Sequence, residues 1–395
     1  MEAILYSMEG CPFCQKAREF LSSRNIPFRE IPTQPGSRTW EEMRDLLGSG
    51  SLPQVLIGGT HIGGYADLVN LELAGKLEET LGLAAAGELK PEIYDVIILG
   101  AGPAGLSAAI YTIRKLMKTL IISKDVGGQI AWTSDVDNYL GFSQVNAGEL
   151  VAKFESHVKQ FDVEKIIGKE VSAVDLVGRR KRVTTEDGMS YYGKTVIIAT
   201  GGRHRPLNIP GERELIGKGV SYCSTCDAPL FGGVDVAVVG GGNSALGAVI
   251  DLIGIANRVY LISLTSLTAD PVYRDKVMKS EKVDIFLEHQ PTRIVGETMV
   301  EGVEFKSINT GEVKTIPVEG VFVEIGIQPS SNLFVDILTT SEKGEILVDS
   351  ECRTGLAGVF ACGDVTSVPY KQVVVAVGEG AKAALSAYNY LITQK

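Results

Sequence analysis

Two Cys-x-x-Cys pairs constrain this chain more than any other feature. Cys11 and Cys14 lie near the start, and Cys223 and Cys226 lie past the middle. The sulfurs of such a pair are close enough to cycle between dithiol and disulfide. Structural zinc is the alternative, but it usually joins two such pairs about 15 to 20 residues apart. Because these two pairs lie in segments that we predict to be separate domains, redox chemistry is favoured over a metal site.

Size and composition indicate a soluble protein of several domains. The 395 residues are too many for one compact core and suggest two or three domains. The net charge of −10 argues against nucleic acid or an anionic membrane as a general partner. The sequence shows neither a signal peptide nor an apolar run long enough to span a membrane. We therefore expect a cytoplasmic protein, a setting in which Cys-x-x-Cys pairs are more often catalytic than structural.

Residues 1–85 are predicted to form a small domain in the order strand, helix, strand, helix, strand pair and closing helix. Cys11 precedes the first helix, which has Pro12 in its first turn. The helix dipole favours a thiolate at this end, so we predict Cys11 as the nucleophile and Cys14 as its more buried resolving partner. The predicted buried face of this helix consists of Phe13, Ala17, Phe20 and Leu21.

This segment resembles glutaredoxin in its Cys-Pro-Phe-Cys motif, in Pro53 at the position of a cis proline, and in the Gly63-Gly64-Tyr65-Ala66-Asp67 turn. The resemblance implies a substrate site in which Leu52 offers backbone hydrogen bonds to glutathione and Asp67 holds its amino group. The residues of that site are Leu52, Pro53, Gly64 and Asp67.

Two observations leave the ligand of this site open. Met8 and Glu9 stand where glutaredoxins often carry a basic residue, so a protein dithiol is as good a partner as glutathione. Asp67 could instead be the N-cap residue of a helix, directly before Leu68.

A second domain is predicted to begin at residue 93, after a small and polar linker at 86–92. The apolar strand Tyr94–Leu99 leads into a glycine-rich turn and then a helix. In that context the turn lets the backbone approach a pyrophosphate at the helix N-terminus. An acidic residue that binds a ribose hydroxyl is expected about 20 residues after such a turn, and the only candidate, Asp125, lies slightly later than that.

The same signature recurs after the strand Val236–Val239. One such turn could arise by chance, whereas two in full strand–turn–helix context predict two dinucleotides. The predicted ligands of the second dinucleotide are Gly240, Gly242, Asn243, Ser244 and Ala245. Asp364 is expected at the carboxyl end of another strand, where sugar hydroxyls bind, although it could also be an ordinary turn residue.

From Tyr94 onward the chain resembles the low-molecular-weight thioredoxin reductase family, and within it the flavoprotein of the alkyl hydroperoxide reductase system. The resemblance rests on GAGPAG, GGQI followed by NY, ATGG, YCSTCDAPLF, GGGNSA, ACGD and VPYKQV. It implies a homodimer and bound FAD. The implied FAD ligands are Gly100, Gly102, Pro103, Ala104, Gly105, Gly128, Gln129, Asn138, Thr200, Gly201, Gly363, Asp364, Lys371, Gln372 and Val373.

The predicted fold class is therefore α/β, with an N-terminal thioredoxin-like (glutaredoxin) domain followed by two Rossmann-like domains, the second inserted in the first. The FAD-binding domain comprises 93–206 and 328–395, and the NAD(P)-binding domain with its Cys-x-x-Cys pair is 207–327. The peroxide-system flavoprotein carries a doubled thioredoxin-like domain at its N-terminus, whereas this chain has one. The electron acceptor is thereby left open.

The choice of nicotinamide depends on the end of the strand Arg258–Ser263. Ser263 offers neither an acid for a ribose hydroxyl nor a base for a 2′-phosphate, and no base follows until Arg274. A 2′-phosphate beside Asp270 would be poorly held. We therefore expect NADH in preference to NADPH.

The resemblance also implies the role of each group at the second pair. Cys226 lies beside the flavin, Cys223 attacks the incoming disulfide, and Asp227 protonates a leaving thiolate, unless it only caps a turn. Electrons would pass from NADH to FAD, to Cys223/Cys226 and to Cys11/Cys14. The last pair would then reduce a protein such as a peroxiredoxin or a thioredoxin-like acceptor. Because the second pair and the nicotinamide share a domain, we expect that domain to rotate.

Two alternative functions remain open. The output could be glutathione mixed disulfides, or the protein could be a ferredoxin-fed or redox-sensing flavoprotein without nicotinamide turnover. The histidines are scattered without ligand spacing, so we predict no metal site. Cys352 and Cys362 are predicted to be packing residues.

Overall fold

The structure is a computed structural model that describes residues 3–24, 26–73, 92–133 and 135–393. The chain divides into two compact units, Met1–Glu92 and Ile93–Lys395. Apart from Glu92, the predicted linker at 86–92 lies outside the described residues. Within the described ranges, no helix is both long and apolar enough to cross a membrane.

The N-terminal unit has a four-stranded mixed sheet in the order β2-β1-β3-β4. Strand β1 is parallel to β2 and antiparallel to β3. This is the thioredoxin-like arrangement, and the order of elements along the chain is the predicted one. The elements are β1 (Ala3–Ser7), α1 (Pro12–Ser23), β2 (Phe28–Pro32), α2 (Arg38–Leu47), β3 (Gln54–Ile57), β4 (Thr60–Gly63) and α3 (Tyr65–Leu73).

Helix α1 covers this sheet with an apolar face. Its buried residues are Cys14, Ala17, Phe20 and Leu21, and the last three pack with Leu5 of β1 and Val55 of β3. The prediction that Phe13 shares this face is wrong, since Phe13 is 58% exposed. In the first turn of the helix the buried position belongs to Cys14, and the aromatic ring one residue earlier lies at the surface.

The second unit begins with strands and helices in alternation, and six of these strands form most of one sheet. These elements are β5 (Ile93–Ala101), α4 (Pro103–Arg114), β6 (Thr119–Val126), β7 (Asp135–Val136), β8 (Val145–Asn146), α5 (Ala147–Lys159), β9 (Glu164–Ile167), β10 (Val171–Asp175), β11 (Lys181–Thr185) and β12 (Ser190–Ile198). The strand order is β10-β11-β12-β5-β6-β9, while β7 and β8 pair with each other. Buried aliphatic strands such as β5, packed on both faces, are typical of parallel α/β sheets.

A second group of elements follows before the chain returns to this first sheet. They are β13 (Gly202–His204), β14 (Val220–Ser221), α6 (Ser224–Asp227), β15 (Asp235–Val239), α7 (Asn243–Ile253), β16 (Arg258–Ser263), α8 (Pro271–Met278), β17 (Val283–Leu287), β18 (His289–Val295), β19 (Gly302–Ser307), β20 (Val313–Ile316), β21 (Gly320–Val323) and β22 (Ile327–Pro329). Five of these strands form a parallel sheet in the order β14-β21-β15-β16-β17. Strands β18, β19 and β20, which lie between β17 and β21 in the sequence, form a separate antiparallel sheet.

The chain then completes the first sheet with β23 (Val359–Ala361) and α9 (Val373–Thr393). Strand β23 pairs in parallel with β12. We call the first sheet with its helices the first layer, and the second parallel sheet with its helices the second layer. Strands β13 and β22, where the chain leaves and re-enters the first layer, pair antiparallel with each other. Two Rossmann-type layers, the second inserted in the first, are therefore observed as predicted.

Helix α9 packs tightly on α4, and this contact joins the two segments of the first layer. A Cβ atom on Gly380 would lie 2.0 Å from the carbonyl oxygen of Ala104, so only glycine permits the approach. The Ser107 hydroxyl donates to the carbonyl of Val377 at 2.8 Å. Small residues of α9, among them Ala383 and Ala387, continue the buried contact.

We expect Gly380→Ala and Gly378→Ala to have opposite effects on stability. Gly380→Ala should destabilise the second unit by about 1–3 kcal/mol, because overpacking forces the two helices apart. Gly378, two residues away on the exposed side of α9, has no atom of the described residues within 4 Å of an added Cβ. Its replacement should stabilise the helix by about 0.5–1 kcal/mol. Urea unfolding of the two variants would measure both shifts, and equal shifts would contradict the packing argument.

Candidate functional site

The second Cys-x-x-Cys pair stands at the start of helix α6. Cys223 and Cys226 form a disulfide, and Cys223 is the N-cap residue of the helix. The Sγ atom of Cys223 accepts a hydrogen bond from the backbone N–H of Cys226 at 3.2 Å. A sulfur at this position is favoured as a thiolate, because the helix end presents N–H groups and a positive dipole.

The side-chain amide of Gln372 lies against this disulfide. Its Nε2 atom is 3.7 Å from Cys223 Sγ and 3.9 Å from Cys226 Sγ. Asn138 Nδ2 donates to Gln372 Oε1 at 3.3 Å. The disulfide therefore faces two residues that the resemblance assigns to the FAD site, although the contact with the sulfurs themselves was not predicted.

Asp227 follows the disulfide and is partly buried. Burial raises the pKa of its carboxyl group, the negative charge of Asp137 raises it further, and a hydrogen bond with Ser221 opposes both effects. Asp227 is also the N-cap residue of the short 3-10 helix Ala228–Phe231, but its side chain makes no capping hydrogen bond. The alternative of a simple capping residue is therefore disfavoured, and the carboxyl group keeps its proton to a higher pH than an ordinary aspartate.

The first glycine-rich turn leaves the N-terminus of α4 open. Gly102 is the N-cap residue and supplies no side-chain bond, and an added Cβ on it would meet no described atom within 4 Å. By contrast, a Cβ on Gly100 would lie 2.3 Å from the Ala199 carbonyl oxygen, and one on Gly105 would lie 1.9 Å from the Gly100 carbonyl oxygen. The close packing of the turn thus exposes backbone N–H groups to an anion such as a pyrophosphate.

A buried polar pair joins the two segments of the first sheet. Gln129 Nε2 donates to Asp364 Oδ2 at 2.7 Å, and burial raises the pKa of Asp364, which Lys371 partly offsets. The other amide atom, Gln129 Oε1, is buried and has no hydrogen-bond partner among the described residues. Because buried polar atoms are normally paired, this acceptor and the neighbouring carboxylate fit the hydroxyl groups of a bound FAD.

The remaining residues predicted for FAD come from the same neighbourhood. A Cβ on Gly128 would lie 3.6 Å from Gly102 Cα, and one on Gly363 would lie 3.0 Å from Ala104 Cβ. The Thr200 hydroxyl donates to the Ser330 carbonyl at 2.7 Å, next to Gly201. Pro103 and Val373 are the first residues of α4 and α9.

Ser123 was missed as a residue of this turn. Its hydroxyl accepts a hydrogen bond from the backbone N–H of Ala101 at 3.0 Å, while Asp125, the only acid near the expected spacing, is exposed on β6. A serine at a strand end carries no sequence signal that separates it from others.

The second glycine-rich turn is built in the same way. Gly240 has φ +142°, and its added Cβ would lie 2.3 Å from the Glu324 carbonyl oxygen and 2.8 Å from Ala245 Cβ. Gly242 is the N-cap residue of α7 and makes no side-chain capping bond. The first N–H groups of α7 are thus available to a second pyrophosphate.

The loop after β16 is tied to this turn. Asn243 Nδ2 donates to Asp270 Oδ2 at 2.9 Å, and Asp270 N–H donates to Asn243 Oδ1 at 2.7 Å. Ser263, at the end of β16, is only 2% exposed. The carboxylate of Asp270 is therefore fixed beside the turn.

The first Cys-x-x-Cys pair has the same helix-capping geometry. Cys11 is the N-cap residue of α1, and its Sγ atom accepts from Cys14 N–H at 3.2 Å. Both cysteines are free, and the two Sγ atoms are 2.6 Å apart. Cys14 is fully buried, whereas Cys11 is partly exposed. The pKa of Cys14 is raised to about 11, mainly by burial and to a smaller extent by the hydrogen bond with Cys11.

The other residues predicted for this site lie before β3 and around the start of α3, where a Cβ on Gly64 would lie 3.5 Å from the Pro53 carbonyl oxygen. The Leu52–Pro53 peptide bond is cis, as the resemblance to glutaredoxin implies. Asp67 Oδ2 accepts from Gly64 N–H at 2.8 Å, in the first turn of α3. Because α3 begins at Tyr65, Asp67 lies within its first turn, and the alternative that Asp67 is the N-cap residue of this helix is wrong. Its exposed carboxylate accepts instead from the backbone N–H of the residue that precedes the helix.

No metal centre is apparent in the ranges that the structure describes, since no three His, Cys, Asp or Glu side chains are grouped to hold an ion. Cys352 and Cys362 are fully buried in the core of the first layer.

The chain is similar to several known proteins. Residues 94–380 match the family model described as pyridine nucleotide-disulphide oxidoreductase, and residues 3–62 match the glutaredoxin model. A Staphylococcus aureus protein named as a subunit of alkyl hydroperoxide reductase is 40% identical over 393 residues, which cover 98% of this chain and 76% of that protein. The Escherichia coli protein of the same name is 37% identical over 396 residues, with 98% and 75% covered.

Solved structures with a similar fold are thioredoxin reductases. The Streptococcus pyogenes enzyme is 37% identical, with a TM-score of 0.73, and the Giardia duodenalis enzyme is 30% identical, with a TM-score of 0.73. Each comparison covers 76% of this chain and 99% of the other.

We expect alkylation of the reduced protein to separate the two N-terminal cysteines. At pH 7 a thiol of pKa about 11 holds about a hundredfold less thiolate than an unshifted one. Iodoacetamide should therefore modify Cys11 well before Cys14, and Cys14 of the unaltered protein should react only as the pH approaches 11. Cys11→Ser removes the thiol that helps to raise the pKa of Cys14, so Cys14 should react at a lower pH in that variant. Peptide mass mapping against pH would measure this, with Cys14→Ser as the control that keeps the Cys11 rate. Comparable rates at pH 7 would contradict it.

Proposed function

The chain belongs to the pyridine nucleotide-disulphide oxidoreductase family, as a relative of the alkyl hydroperoxide reductase proteins, and from this premise we propose that it is an NADH-dependent flavoprotein disulfide reductase. Electrons pass through Cys223/Cys226 to Cys11/Cys14 and then to a protein disulfide. The observation that supports this most directly is the disulfide of Cys223 and Cys226 lying against Gln372.

The residues around the two glycine-rich turns fit two dinucleotides. Gln129, Asp364 and the open end of α4 would hold FAD, and the open end of α7 would hold the nicotinamide dinucleotide. When bound, the flavin would take a hydride from the nicotinamide and supply two electrons to the disulfide. Gln372, anchored by Asn138, would orient the disulfide towards it.

Transfer between the two pairs is a pair of thiol–disulfide exchanges. The Cys223 thiolate attacks the Cys11 sulfur of the oxidised N-terminal pair, so that a Cys223–Cys11 bond forms and the Cys11–Cys14 bond breaks. Cys226 then attacks Cys223, which releases Cys11 and restores the Cys223–Cys226 disulfide. Two electrons move to the N-terminal pair, and each released thiolate takes up one proton.

The first released sulfur needs a proton donor. A thiol whose pKa is about 11 is a poor leaving group as a thiolate, so Cys14 leaves readily only when it is protonated. Asp227, whose pKa burial raises, adjoins the attacking pair and is the acid that supplies the proton.

The inserted domain must turn during the cycle. The disulfide and the open end of α7 belong to the same domain, so they cannot serve one flavin face at the same time. The antiparallel pair β13 and β22 is where the chain enters and leaves this domain. We propose rotation about this two-stranded connection, which exchanges the disulfide for the nicotinamide.

NADH is proposed as the reductant from the character of the loop after β16. Ser263 is buried, and Asp270 is fixed beside the turn by Asn243. A 2′-phosphate near this carboxylate would be repelled rather than paired. The proposed acceptor is the disulfide of a peroxiredoxin, which the names of the relatives support through their part in alkyl hydroperoxide reduction.

Anaerobic titration would test the proposed relay. NADH should bleach the flavin with an uptake of about six electrons, two for FAD and two for each pair. The variant Cys11→Ser/Cys14→Ser should take up about four. Cys352→Ser/Cys362→Ser is the matched control, and it should keep the full uptake because those thiols take no part.

The outcomes separate the parts of the proposal. Bleaching only by NADPH would overturn the choice of nicotinamide. Bleaching by neither would favour a ferredoxin-fed or sensing protein, and unchanged uptake in Cys11→Ser/Cys14→Ser would remove the N-terminal pair from the relay.

If Asp227 is the acid, Asp227→Asn should slow the reoxidation of reduced Cys223/Cys226 by the oxidised Cys11/Cys14 pair about a hundredfold. In the unaltered enzyme the rate of this reoxidation should fall as the pH rises through the raised pKa of Asp227, because the carboxyl group then loses its proton. This falling limb of the pH–rate profile should be absent in Asp227→Asn. Asp137→Asn removes a charge that raises the pKa of Asp227, so it should move the limb to lower pH. Stopped-flow rates against pH would measure both, and an unmoved limb would count against Asp227.

A further inference from the structure

Glu324 links the two reactive parts of the inserted domain. It follows β21 at the carboxyl end of the parallel sheet, the edge where ligands bind in such folds. One carboxylate oxygen accepts from the Ser224 backbone N–H at 3.4 Å, next to Cys223. The other accepts from the Ser244 hydroxyl, in the first turn of α7. The same carboxylate therefore contacts the dithiol segment and the dinucleotide turn.

The surroundings of Glu324 make its charge costly. Burial raises the pKa of its carboxyl group, the bonds from Ser244 and Ser224 lower it, and the negative charge of Asp251 raises it. Asp251 lies on α7 and itself accepts from the Ser224 hydroxyl at 3.2 Å. The dithiol segment adds Cys223, Cys226 and Asp227 as titratable groups. The anionic form of Glu324 thus depends on its two donors.

One of those donors can be withdrawn. A serine hydroxyl has a single proton to donate, and Ser244 lies in the first turn of α7, where the proposed function places a pyrophosphate. If Ser244 donates to a phosphate oxygen, Glu324 loses that bond. The phosphate also brings negative charge to the turn, and both effects favour the uncharged carboxyl group.

We propose that Glu324 is a positioning residue that couples occupancy of the dinucleotide turn to the reactivity of Cys223. A bound dinucleotide accepts the hydrogen bond of the Ser244 hydroxyl in place of Glu324, and Glu324 then takes up a proton from solvent and becomes uncharged. The loss of negative charge beside Ser224 then favours a thiolate at Cys223. Thermodynamic reciprocity requires that the thiolate in turn strengthens dinucleotide binding. This inference rests on the proposed function, since it assumes a dinucleotide at α7.

The probe for this coupling is ADP-ribose, which carries the pyrophosphate but no nicotinamide and cannot exchange hydride. The holoenzyme would be reduced, desalted without oxygen and treated with iodoacetamide at a series of pH values, with and without saturating ADP-ribose. Mass mapping follows Cys223 alone, and calorimetry measures binding of the probe separately. In the unaltered protein ADP-ribose should speed alkylation of Cys223 at neutral pH by about fivefold, the lower end of typical couplings.

Two variants should abolish that acceleration while the probe still binds. Glu324→Gln keeps the shape but has no charge to lose, so Cys223 should react quickly with or without ADP-ribose. Ser244→Ala removes the hydroxyl group that donates to Glu324, while the backbone N–H groups of α7 remain available to the probe. Glu304→Gln is the matched control. Glu304 Oε1 accepts a hydrogen bond from the Thr292 hydroxyl at 2.6 Å, between β18 and β19, and this variant should retain the full acceleration.

The results distinguish the inference from its premise. Binding of ADP-ribose with no acceleration in the unaltered protein, or equal acceleration in Glu324→Gln, would overturn the coupling but leave the dinucleotide site intact. No binding of ADP-ribose would overturn the proposed site at α7, and the coupling with it. Acceleration that is lost in both variants and kept in Glu304→Gln would establish the coupling.

Discussion

The close contact of α9 with α4 is the constraint on which the rest of the second unit depends. Because Gly380 has no side chain, the two helices approach until α9 touches the backbone of Ala104. That approach holds the segment before α9, with Asp364 and Gln372, beside the first glycine-rich turn. Gln129 meets Asp364 and Asn138 meets Gln372 across a separation of more than half the chain.

The two dithiols share one physical device and differ in their surroundings. In each pair the first cysteine caps a helix and accepts from the N–H of the second, so the first sulfur is the better nucleophile of the pair. In the N-terminal pair burial holds the second sulfur as a thiol. In the other pair an amide side chain from a different segment lies against both sulfurs. A common local geometry is thus given two different reactivities by tertiary packing.

Three carboxyl groups of the second unit are partly buried and have raised pKa values. Burial raises the pKa of Asp227, Glu324 and Asp364, and each has a hydrogen-bond partner that the sequence spacing does not reveal. Shifts of this kind are concentrated at functional sites because withdrawal from water makes a charge responsive to its neighbours. These three carboxyl groups are therefore candidates for functional residues.

Particular residues show how far the sequence could lead. The Cys-x-x-Cys pairs and the glycine-rich turns are local signals that can be predicted without knowledge of any tertiary contact, whereas the cis bond before Pro53 was implied by the resemblance to glutaredoxin. Phe13 was wrongly placed in the core, because periodicity gives a face of the helix but not where that face meets the sheet. Gln372 was assigned to FAD alone, and Glu324 was not predicted, since neither stands in a motif that names sulfur or serine as its partner.

The order of the elements, the two glycine-rich turns between strand and helix, and the two Cys-x-x-Cys pairs at helix starts can all be predicted from the sequence alone. These depend on residues close together in the chain, where glycine, proline and a helix start act locally. Only the tertiary structure decided which polar groups meet: Gln129 with Asp364, Gln372 with the disulfide, and Glu324 with Ser224 and Ser244. The physical reason is that burial and side-chain hydrogen bonds depend on distance in space, and segments far apart in sequence become neighbours only when the sheets close.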